Sequence, residues 1–346
     1  MKKREMLNLS SDKVKTPKIS IMTTSFAIYD KSPLELLEKN KYEIILNPYG
    51  RKLKKDEIIE FCKGADGIIA GTENYDAEVL SILTQSSALS PQSSLKVISR
   101  CGTGMDNIDI DATEKLGIKV FNTPDAPTFA VAELTVGLIL NLLRKVNQMD
   151  ASIRNGKWEK LMGNLLSEKK VGIIGFGRIG KKVAELLKPF GCEIKYYDTR
   201  TEGEERTEDG IERNQLLKTM TQSSLLGPQS SSLDELLKTS DIISIHVSTK
   251  EQIIGEREIR MMKKASWLVN VSRGEVVDEG ALYQALKEGH LSGAALDVFE
   301  QEPYNGQLKE LDNVILTPHI GSYAKEARIK MELQASENLL KGLGVM

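Results

Sequence analysis

Short apolar runs and longer amphipathic segments alternate along most of the chain. The short runs are rich in β-branched and aliphatic residues, which is typical of strands buried on both faces, and the longer segments carry a helical stripe. Strands are predicted at 18–23, 42–46, 67–70, 95–99, 171–174, 193–197, 242–247, 267–271, 293–296 and 314–316. Helices are predicted at 33–39, 54–62, 77–83, 131–146, 181–189, 233–237, 251–261, 279–288 and 322–343. This alternation indicates an α/β protein with parallel sheets.

The segment 131–146 is apolar on nearly every side. One apolar stripe would be enough for a helix that packs on one sheet, so a helix of this kind must be buried twice. We favour an interface with a second copy of the chain, and therefore a homodimer. A central core helix is the alternative.

The segment 171–198 has the organisation of a dinucleotide-binding unit. Its first strand runs into Gly175, Gly177 and Gly180 in a GxGxxG pattern, a helix follows, and a second strand ends in Asp198. The first glycine permits the tight turn, the second lets a pyrophosphate approach the backbone, and the third lets the helix pack closely on the strand. Glycine-rich turns are common, but strand, motif, helix, strand and acid within one unit favour a dinucleotide site over a structural turn.

The residue type at the end of the second strand bears on the choice of cofactor. Asp198 accepts hydrogen bonds from ribose hydroxyls and repels a 2′-phosphate, which favours NAD over NADP. Arg200 follows two residues later and could accept a 2′-phosphate, so some use of NADP stays open.

Composition narrows the class of protein. A chain of 346 residues suggests two domains, and a net charge of −2 gives no reason to expect nucleic acid or an anionic membrane as a partner. No apolar run approaches the ~20 residues of a membrane span. The residues 1–16 are charged and polar, so we expect a frayed tail rather than a secretory signal.

The cysteine and histidine counts exclude other classes of site. The three cysteines are widely spaced and form no CxxC pair, which argues for a reducing, cytoplasmic compartment and against disulfides or structural zinc. With three histidines in all, we expect no histidine-rich metal site.

Two similar Ser/Gln-rich segments interrupt the pattern, TQSSALSPQSS at 84–94 and TQSSLLGPQSS at 221–231. Each is too short to be a solenoid unit, so the chain is not a repeat protein. We interpret both as insertions in surface loops, because added loop length costs little free energy. A docking motif used twice is the less favoured alternative.

The strand predicted at 95–99 runs into Arg100, Cys101, Gly102 and Thr103, with Gly104 next. Glycines around Thr103 would let consecutive backbone N–H groups point the same way, and such a nest binds carboxylates. A simple left-handed turn is an equally good interpretation of the spacing.

Six motifs in this order resemble the D-isomer-specific 2-hydroxyacid dehydrogenases. They cover the chain from about Lys18 to the last helix. They are RCGTGMDNIDID at 100–111, NTP with VAEL at 122–134, GFGRIG at 175–180, NVSRGEVVDEGAL at 270–282, ALDVFEQEP at 295–303 and LTPHIG at 316–321. The resemblance implies an NAD-dependent oxidoreductase that acts on a small 2-hydroxy or 2-oxo acid.

The resemblance also implies the domain organisation. It predicts two Rossmann-like domains with the active site in the cleft between them. The substrate-binding domain would comprise 17–123 and be completed by 320–346, and the NAD-binding domain would comprise 124–319. The position of the GxGxxG pattern in the middle of the chain agrees with this order.

Hydride transfer to a 2-oxo acid needs an anchor for the carboxylate and a proton for the carbonyl oxygen. The planar, permanently charged guanidinium of Arg273 suits the first need. His319 suits the second, since its ordinary pKa lies near neutrality. Either Glu300 or Glu302 could orient the imidazole, and the resemblance selects Glu302. The resemblance therefore implies Arg273, Glu302 and His319 as the catalytic residues.

His290 lies at a predicted helix end, where a cation is favourable, so we expect it to be structural. His246 ends a predicted strand, and we expect it to line the cofactor pocket. The remaining roles are carried over from the family, and Ser248 departs from the proline usual in relatives. Cys101 stands where many relatives have alanine, so we expect thiol reagents to inactivate the protein unless substrate protects it. Substrate contacts are expected at Arg100, Cys101, Gly102, Thr103 and Arg273. Cofactor contacts are expected at Thr103, Gly175, Gly177, Arg178, Ile179, Gly180, Asp198, Val247, Val271 and Asp297.

The identity of the substrate is the most specific of these expectations. The wording GTGMDNID at 102–109 is most similar to the phosphoglycerate-oxidising members, which makes 3-phosphoglycerate the first choice and a role in serine synthesis the implied one. Glyoxylate or hydroxypyruvate reduction is the alternative. An NAD-sensing binding protein or corepressor on the same fold is the alternative from another class.

Overall fold

The structure is a computed structural model that describes residues 16–84, 95–199 and 229–346. Nearly all of the predicted tail, most of both Ser/Gln-rich segments and Arg200 lie outside these residues. The chain divides into two compact units, one made of 1–124 and 328–346 and the other of 125–327. The predicted boundaries between the substrate-binding domain and the NAD-binding domain remain predictions.

The first unit contains a parallel five-stranded sheet in the order β2-β1-β3-β4-β5. Its strands are β1 (Lys18–Ile21), β2 (Glu43–Leu46), β3 (Gly67–Ala70), β4 (Val97–Arg100) and β5 (Lys119–Phe121). The helices between them are α1 (Ser32–Lys39), α2 (Lys55–Cys62), α3 (Ala77–Thr84) and α4 (Ile110–Leu116). β3 is buried at every position because it is central in the sheet.

The second unit contains a seven-stranded parallel sheet in the order β12-β11-β10-β9-β6-β7-β8. Its strands are β6 (Lys170–Ile174), β7 (Glu193–Tyr197), β8 (Gln229–Ser230), β9 (Ile242–Ile245), β10 (Ser266–Asn270), β11 (Leu291–Leu296) and β12 (Val314–Leu316). Its helices include α5 (Thr128–Arg144), α6 (Val146–Arg154), α7 (Arg178–Leu187), α8 (Leu233–Thr239), α9 (Glu256–Met261) and α10 (Glu279–Lys287). The strand order reverses between β6 and β9, and in doubly wound sheets ligands bind at this point.

The last helix, α11 (Lys325–Gly342), begins in the second unit and continues in the first. The expectation of two α/β units with parallel sheets is confirmed. Among the described helices, none combines the length and hydropathy needed to cross a bilayer.

The predicted helix 131–146 is observed as α5 over Thr128–Arg144, and a separate helix, α6, begins at Val146 because Lys145 adopts a left-handed backbone with a φ of 53°. Ala132, Leu138 and Ile139 of α5 are buried in a core that also contains strand and α7 side chains. The core-helix interpretation is therefore confirmed for these side chains, and the interface between two copies stays a prediction.

Other differences have local causes. The helix predicted over 251–261 begins only at Glu256, since Ile254 forms a parallel bridge with Val277. α4 and β5 were not predicted, although the Asp109 carboxylate caps α4 by accepting the Ala112 N–H and Gly117 ends it with a φ of 70°.

Candidate active site

The turn after β6 is shaped by glycine. Gly175 has a φ of 88°, and a Cβ at that position would lie 2.7 Å from the backbone oxygen of His246. A Cβ on Gly180 would lie 2.1 Å from the Gly175 oxygen. Only glycine fits either position, so the first turn of α7 is drawn against the end of the strand.

This turn presents an anion-binding helix end. α7 begins at Arg178 after Gly177, and Gly177 provides no side-chain cap for the first N–H groups. Those N–H groups and the positive end of the helix dipole suit a phosphate. Arg178 also forms a 2.8 Å ion pair with Asp125, whereas Ile179 packs against the core of the unit. The residues therefore fit the pyrophosphate of a dinucleotide.

Asp198 lies at the end of β7 beside this turn. Its Oδ2 accepts the Phe176 N–H at 2.6 Å, so the carboxylate is tied to the middle of the glycine motif. Val247 approaches the same turn, since a Cβ on Gly175 would lie 3.0 Å from its Cγ1. Val271 is buried in the core, with 8 % of its surface exposed.

Two of the catalytic candidates and one expected cofactor contact lie beyond the carboxyl ends of three neighbouring strands. Arg273 follows β10, Asp297 follows β11 and His319 follows β12. Parallel strands bring their carboxyl ends to one edge of the sheet, which is where α/β proteins bind ligands. Strand order alone therefore brings these side chains to the same edge.

Arg273 is held by its neighbours. The Asn270 side chain donates to the Arg273 carbonyl oxygen at 2.8 Å, and its Oδ1 accepts from Ser272. The Arg273 guanidinium itself donates to the Ser272 oxygen at 2.8 Å. The next residue, Gly274, packs so closely on Phe299 that a Cβ would lie 1.9 Å from the Phe299 carbonyl carbon. These contacts fix the position of the loop that carries Arg273.

His319 and Glu302 form a hydrogen-bonded pair. The imidazole Nδ1 lies 3.0 Å and 3.1 Å from the two carboxylate oxygens of Glu302. This hydrogen bond is the main reason that the His319 pKa is raised above its usual value, and partial burial and the positive charge of Arg273 oppose it. The imidazole side chain keeps 53 % of its surface exposed, so the other ring nitrogen can meet a ligand. The acid bonded to His319 is thus Glu302, whereas the backbone N–H of Glu300 donates to Glu279.

Asp297 organises the loop that carries His319. Its Oδ1 accepts from the Thr317 hydroxyl at 2.6 Å and from the Ile320 N–H at 2.8 Å. Its Oδ2 accepts the Gly321 N–H at 2.8 Å, and 1 % of the residue is exposed. A cofactor contact was predicted for Asp297, whereas this role in positioning the loop was not. The hydroxyl of Thr317, two residues before His319, was the available signal.

The other two histidines lie in different surroundings. His246 is buried at the end of β9, where burial lowers its pKa to about 3 and the Ser244 hydroxyl lies 2.8 Å from Nε2. His290 lies 3.0 Å from the Ile259 oxygen, as a structural residue would. Within the described residues no cluster of three or more potential ligands could hold a metal ion.

The segment Arg100–Thr103 belongs to the first unit and differs from a simple nest. The Cys101 N–H donates to the Ala70 oxygen and the Gly102 N–H to the Thr123 hydroxyl, so both are already bonded. Arg100 donates to the Cys101 oxygen and packs on Gly102, whose φ is 147°. The N–H groups of Cys101 and Gly102 are therefore not available to a carboxylate. The substrate contacts there stay predictions.

The expected reactivity of Cys101 is wrong for the folded chain. Only 2 % of the residue is exposed, and burial raises the pKa of its thiol to about 11. A thiol that is neither accessible nor ionised is a poor nucleophile toward alkylating reagents.

Comparison with known proteins agrees with this geometry. Residues 136–321 match the profile of the D-isomer specific 2-hydroxyacid dehydrogenase, NAD binding domain. Glyoxylate reductase of Thermofilum pendens is 42 % identical over 298 residues, which is 83 % of this chain and 80 % of that protein. D-3-phosphoglycerate dehydrogenase of Methanocaldococcus jannaschii is 38 % identical over 299 residues, 84 % of this chain but 52 % of that longer protein.

A solved structure extends the likeness to the fold. The glyoxylate reductase of Paecilomyes thermophila superimposes with a TM-score of 0.77 at 29 % identity and covers 94 % of both chains. The matched profile is that of the NAD-binding domain, and its range includes the glycine turn, Arg273 and His319. The chain therefore belongs to the D-isomer specific 2-hydroxyacid dehydrogenases and is an NAD-dependent oxidoreductase.

Proposed function

We propose that this enzyme interconverts a small 2-oxo acid and its D-2-hydroxy acid with Arg273, Glu302 and His319 as its catalytic residues. The observation that carries the proposal is the His319–Glu302 hydrogen bond beside Arg273, at the carboxyl edge of the sheet. When NADH is bound it supplies the hydride, and NAD accepts it in the reverse direction.

Arg273 binds the substrate carboxylate in this proposal. A guanidinium offers two parallel N–H donors to a carboxylate and cannot lose its charge near neutral pH. Its carbonyl oxygen is held by Asn270, so the side chain projects from a fixed backbone.

His319 supplies the proton in reduction and takes it back in oxidation. Glu302 bonds to Nδ1, which leaves Nε2 to face the substrate oxygen. The raised pKa keeps more of the imidazole protonated at neutral pH than an isolated histidine would be. Reduction needs the protonated form and oxidation needs the neutral form, so the two directions should have opposite pH dependence.

Asp198 supports NAD as the preferred cofactor. Its carboxylate is fixed beside the glycine turn by the Phe176 N–H, and a 2′-phosphate near it would be repelled. The contribution of Arg200 falls outside the described residues.

Glyoxylate is the substrate that the relatives favour, because the 42 % and 39 % identical proteins are glyoxylate reductases. Oxidation of 3-phosphoglycerate, the first choice from the sequence, is the second candidate. It is supported by the GTGMDNID motif and by the 38 % identical phosphoglycerate dehydrogenase.

A substrate panel separates the two candidates. NADH oxidation is measured with glyoxylate, hydroxypyruvate, pyruvate and 3-phosphooxypyruvate, with His319→Gln as the blank. A kcat/KM that is highest for glyoxylate or hydroxypyruvate supports the proposal, and a preference for the phosphorylated acid favours the second candidate. Lack of turnover with every acid, with NADH and with NADPH, would contradict both.

A homodimer is also part of the proposal. The second unit exposes several large apolar side chains between 129 and 165, with Trp158 81 % and Met162 86 % exposed. Exposed apolar groups in such numbers mark interaction surfaces. Light scattering of the native protein and of Trp158→Ser with Met162→Ser tests this; we expect a dimer that the double substitution weakens.

A further inference from the structure

A second concave site lies at the opposite edge of the seven-stranded sheet from the catalytic candidates. It is a cavity of about 440 Å³, within the range of small-molecule sites. Ala265 and Trp267 line it at the start of β10, Ser292 at the start of β11, and Asn313 and Ile315 at the start of β12. The carboxyl ends of the same three strands carry Arg273, Asp297 and His319. The cavity is therefore separate from the catalytic groups.

Apolar and basic side chains both line the cavity, together with polar ones. Leu142, Trp267 and Ile315 supply the apolar surface, and Trp267 is only 8 % exposed. The lysines Lys145 and Lys264 lie in the lining together with Lys169, whose ammonium group stands 5.5 Å from the centre of the Trp267 ring.

Within the described residues the three lysines form no close ion pair, although Lys169 lies near enough to Asp241 to help lower the pKa of that carboxyl. In 16–84, 95–199 and 229–346, none of Lys145, Lys169 and Lys264 forms an ion pair. The Asp241 carboxylate in the lining is neutralised by Lys263 at 2.5 Å and accepts the Lys170 N–H. Asp312 is the other acid that lines the cavity. With three lysines and two carboxylates in its lining, one of the carboxylates paired with Lys263, the cavity keeps an excess of positive charge.

The backbone around the cavity is unusual. The register of β10 and β11 shifts between Ser266 and Trp267, so that Ser292 is left between two paired residues. Such bulges re-aim side chains and are common next to functional sites. Two lining residues, Lys145 and Ala265, have left-handed backbones with φ of 53° and 64° although neither is glycine. Strain of this kind tends to persist where a ligand is clamped.

We propose that this cavity binds a small organic anion, with an apolar body against Leu142, Trp267 and Ile315 and a carboxylate or phosphate among the three lysines. The apolar side chains of Leu142, Trp267 and Ile315 suit a ligand with an apolar body better than a bare inorganic ion, and the excess of lysines over carboxylates disfavours a cation. This ligand is distinct from the substrate.

Trp267 provides a direct readout. The chain has two tryptophans, so Trp158→Phe leaves Trp267 as the sole one. Emission of this variant is titrated with benzoate, with the uncharged isostere benzamide, and with inorganic phosphate, at constant ionic strength. We expect a saturable change with benzoate and an apparent affinity about tenfold or more lower for benzamide and for phosphate.

The lysines are tested in the same background. Lys145→Met with Lys264→Met should weaken benzoate about tenfold or more, because two charge-assisted contacts are lost. Lys238→Met, at an exposed position on α8 outside the cavity, is the matched control and should bind as before. Thermal unfolding followed by circular dichroism verifies that each variant is folded.

Benzoate can also enter the substrate site, and Arg273→Gln separates the two sites. We expect the Trp267 response to survive Arg273→Gln. A response that disappears with Arg273→Gln but persists in the lysine variant would assign it to the catalytic site and overturn the proposal. Equal affinity for benzoate and benzamide, or no response at all, would overturn it as well.

Discussion

His246 and His319 lie at the same edge of the same sheet, yet their surroundings give them opposite properties. His246 is 9 % exposed and faces only the Ser244 hydroxyl, so burial lowers its pKa to about 3 and it stays neutral. His319 meets the Glu302 carboxylate, and its pKa is raised. Position at a strand end does not decide whether a histidine does acid–base chemistry. The carboxylate partner and access to solvent decide it.

The largest expected effect is on catalysis. His319→Gln should lower kcat by roughly 10²- to 10⁴-fold, because the proton donor is lost. His246→Gln should leave kcat within about tenfold of the native enzyme, since a neutral buried imidazole donates no proton at neutral pH. Steady-state assays with glyoxylate and NADH measure both, and equal losses in the two variants would break the comparison.

The second largest expected effect is on stability at acidic pH, and here His246 rather than His319 is the residue that matters. The folded-state pKa of His246 is depressed, so its contribution is fully present above pH 6.5 and is lost as the pH falls toward 3. The loss is about 1.4 kcal/mol for each pH unit once the unfolded histidine is protonated. Urea unfolding at pH 7, 6 and 5 should show a steeper decline in the native protein than in His246→Gln. Parallel declines would mean that His246 is not buried in its neutral form.

Asp297→Asn should have an intermediate effect. The amide keeps one acceptor oxygen, but its nitrogen cannot accept, so the substitution loses either the Gly321 N–H bond or the bonds from Ile320 and Thr317, and we expect a loss of about 2 kcal/mol in unfolding free energy. The loop that carries His319 would also lose its anchor, so kcat should fall while the KM for NADH changes little. Thr317→Val removes only the hydroxyl contact and should cost less in both measurements.

Glu302→Gln is expected to have the smallest effect, and it tests the cause of the difference in pKa between His319 and His246. It removes the main cause of the raised His319 pKa, so the protonated form is lost at a lower pH. The falling limb of the pH–rate profile for reduction should move to lower pH, with the largest loss of rate on the alkaline side. Glu300→Gln is the matched control, two residues away. An unmoved profile in Glu302→Gln would show that Glu302 does not set the protonation of His319.

Much of the fold could be predicted because its strands appear in the sequence as short apolar runs. Gly67–Ala70, Glu193–Tyr197 and Val314–Leu316 were predicted at their observed bounds. α7 begins three residues earlier than predicted, at Arg178, since Gly180 packs under its first turn instead of delaying it. The break at Lys145 could not be predicted, because no glycine or proline marks it and the chain turns there for tertiary reasons.

The residue types that form the site could be predicted from the sequence, but most of the hydrogen bonds that position them could not. The choice between Glu300 and Glu302 came from family resemblance, and the structure pairs Glu302 with His319. The direction of the Asp297 carboxylate depends on loop atoms twenty or more residues later, which no local pattern encodes. The same holds for Arg100–Gly102, where β3 and Thr123 take the N–H groups that a nest would have offered.

Adjacency of β10, β11 and β12 has a consequence for heat tolerance. Neighbouring strands are spaced by ~4.8 Å through backbone hydrogen bonds, so the ladder sets the separation of the three strand ends, while side-chain contacts such as those of Asp297 position the loops beyond them. Unfolding of the sheet must therefore abolish the site. On slow warming, turnover should vanish no later than the circular-dichroism signal of the strands.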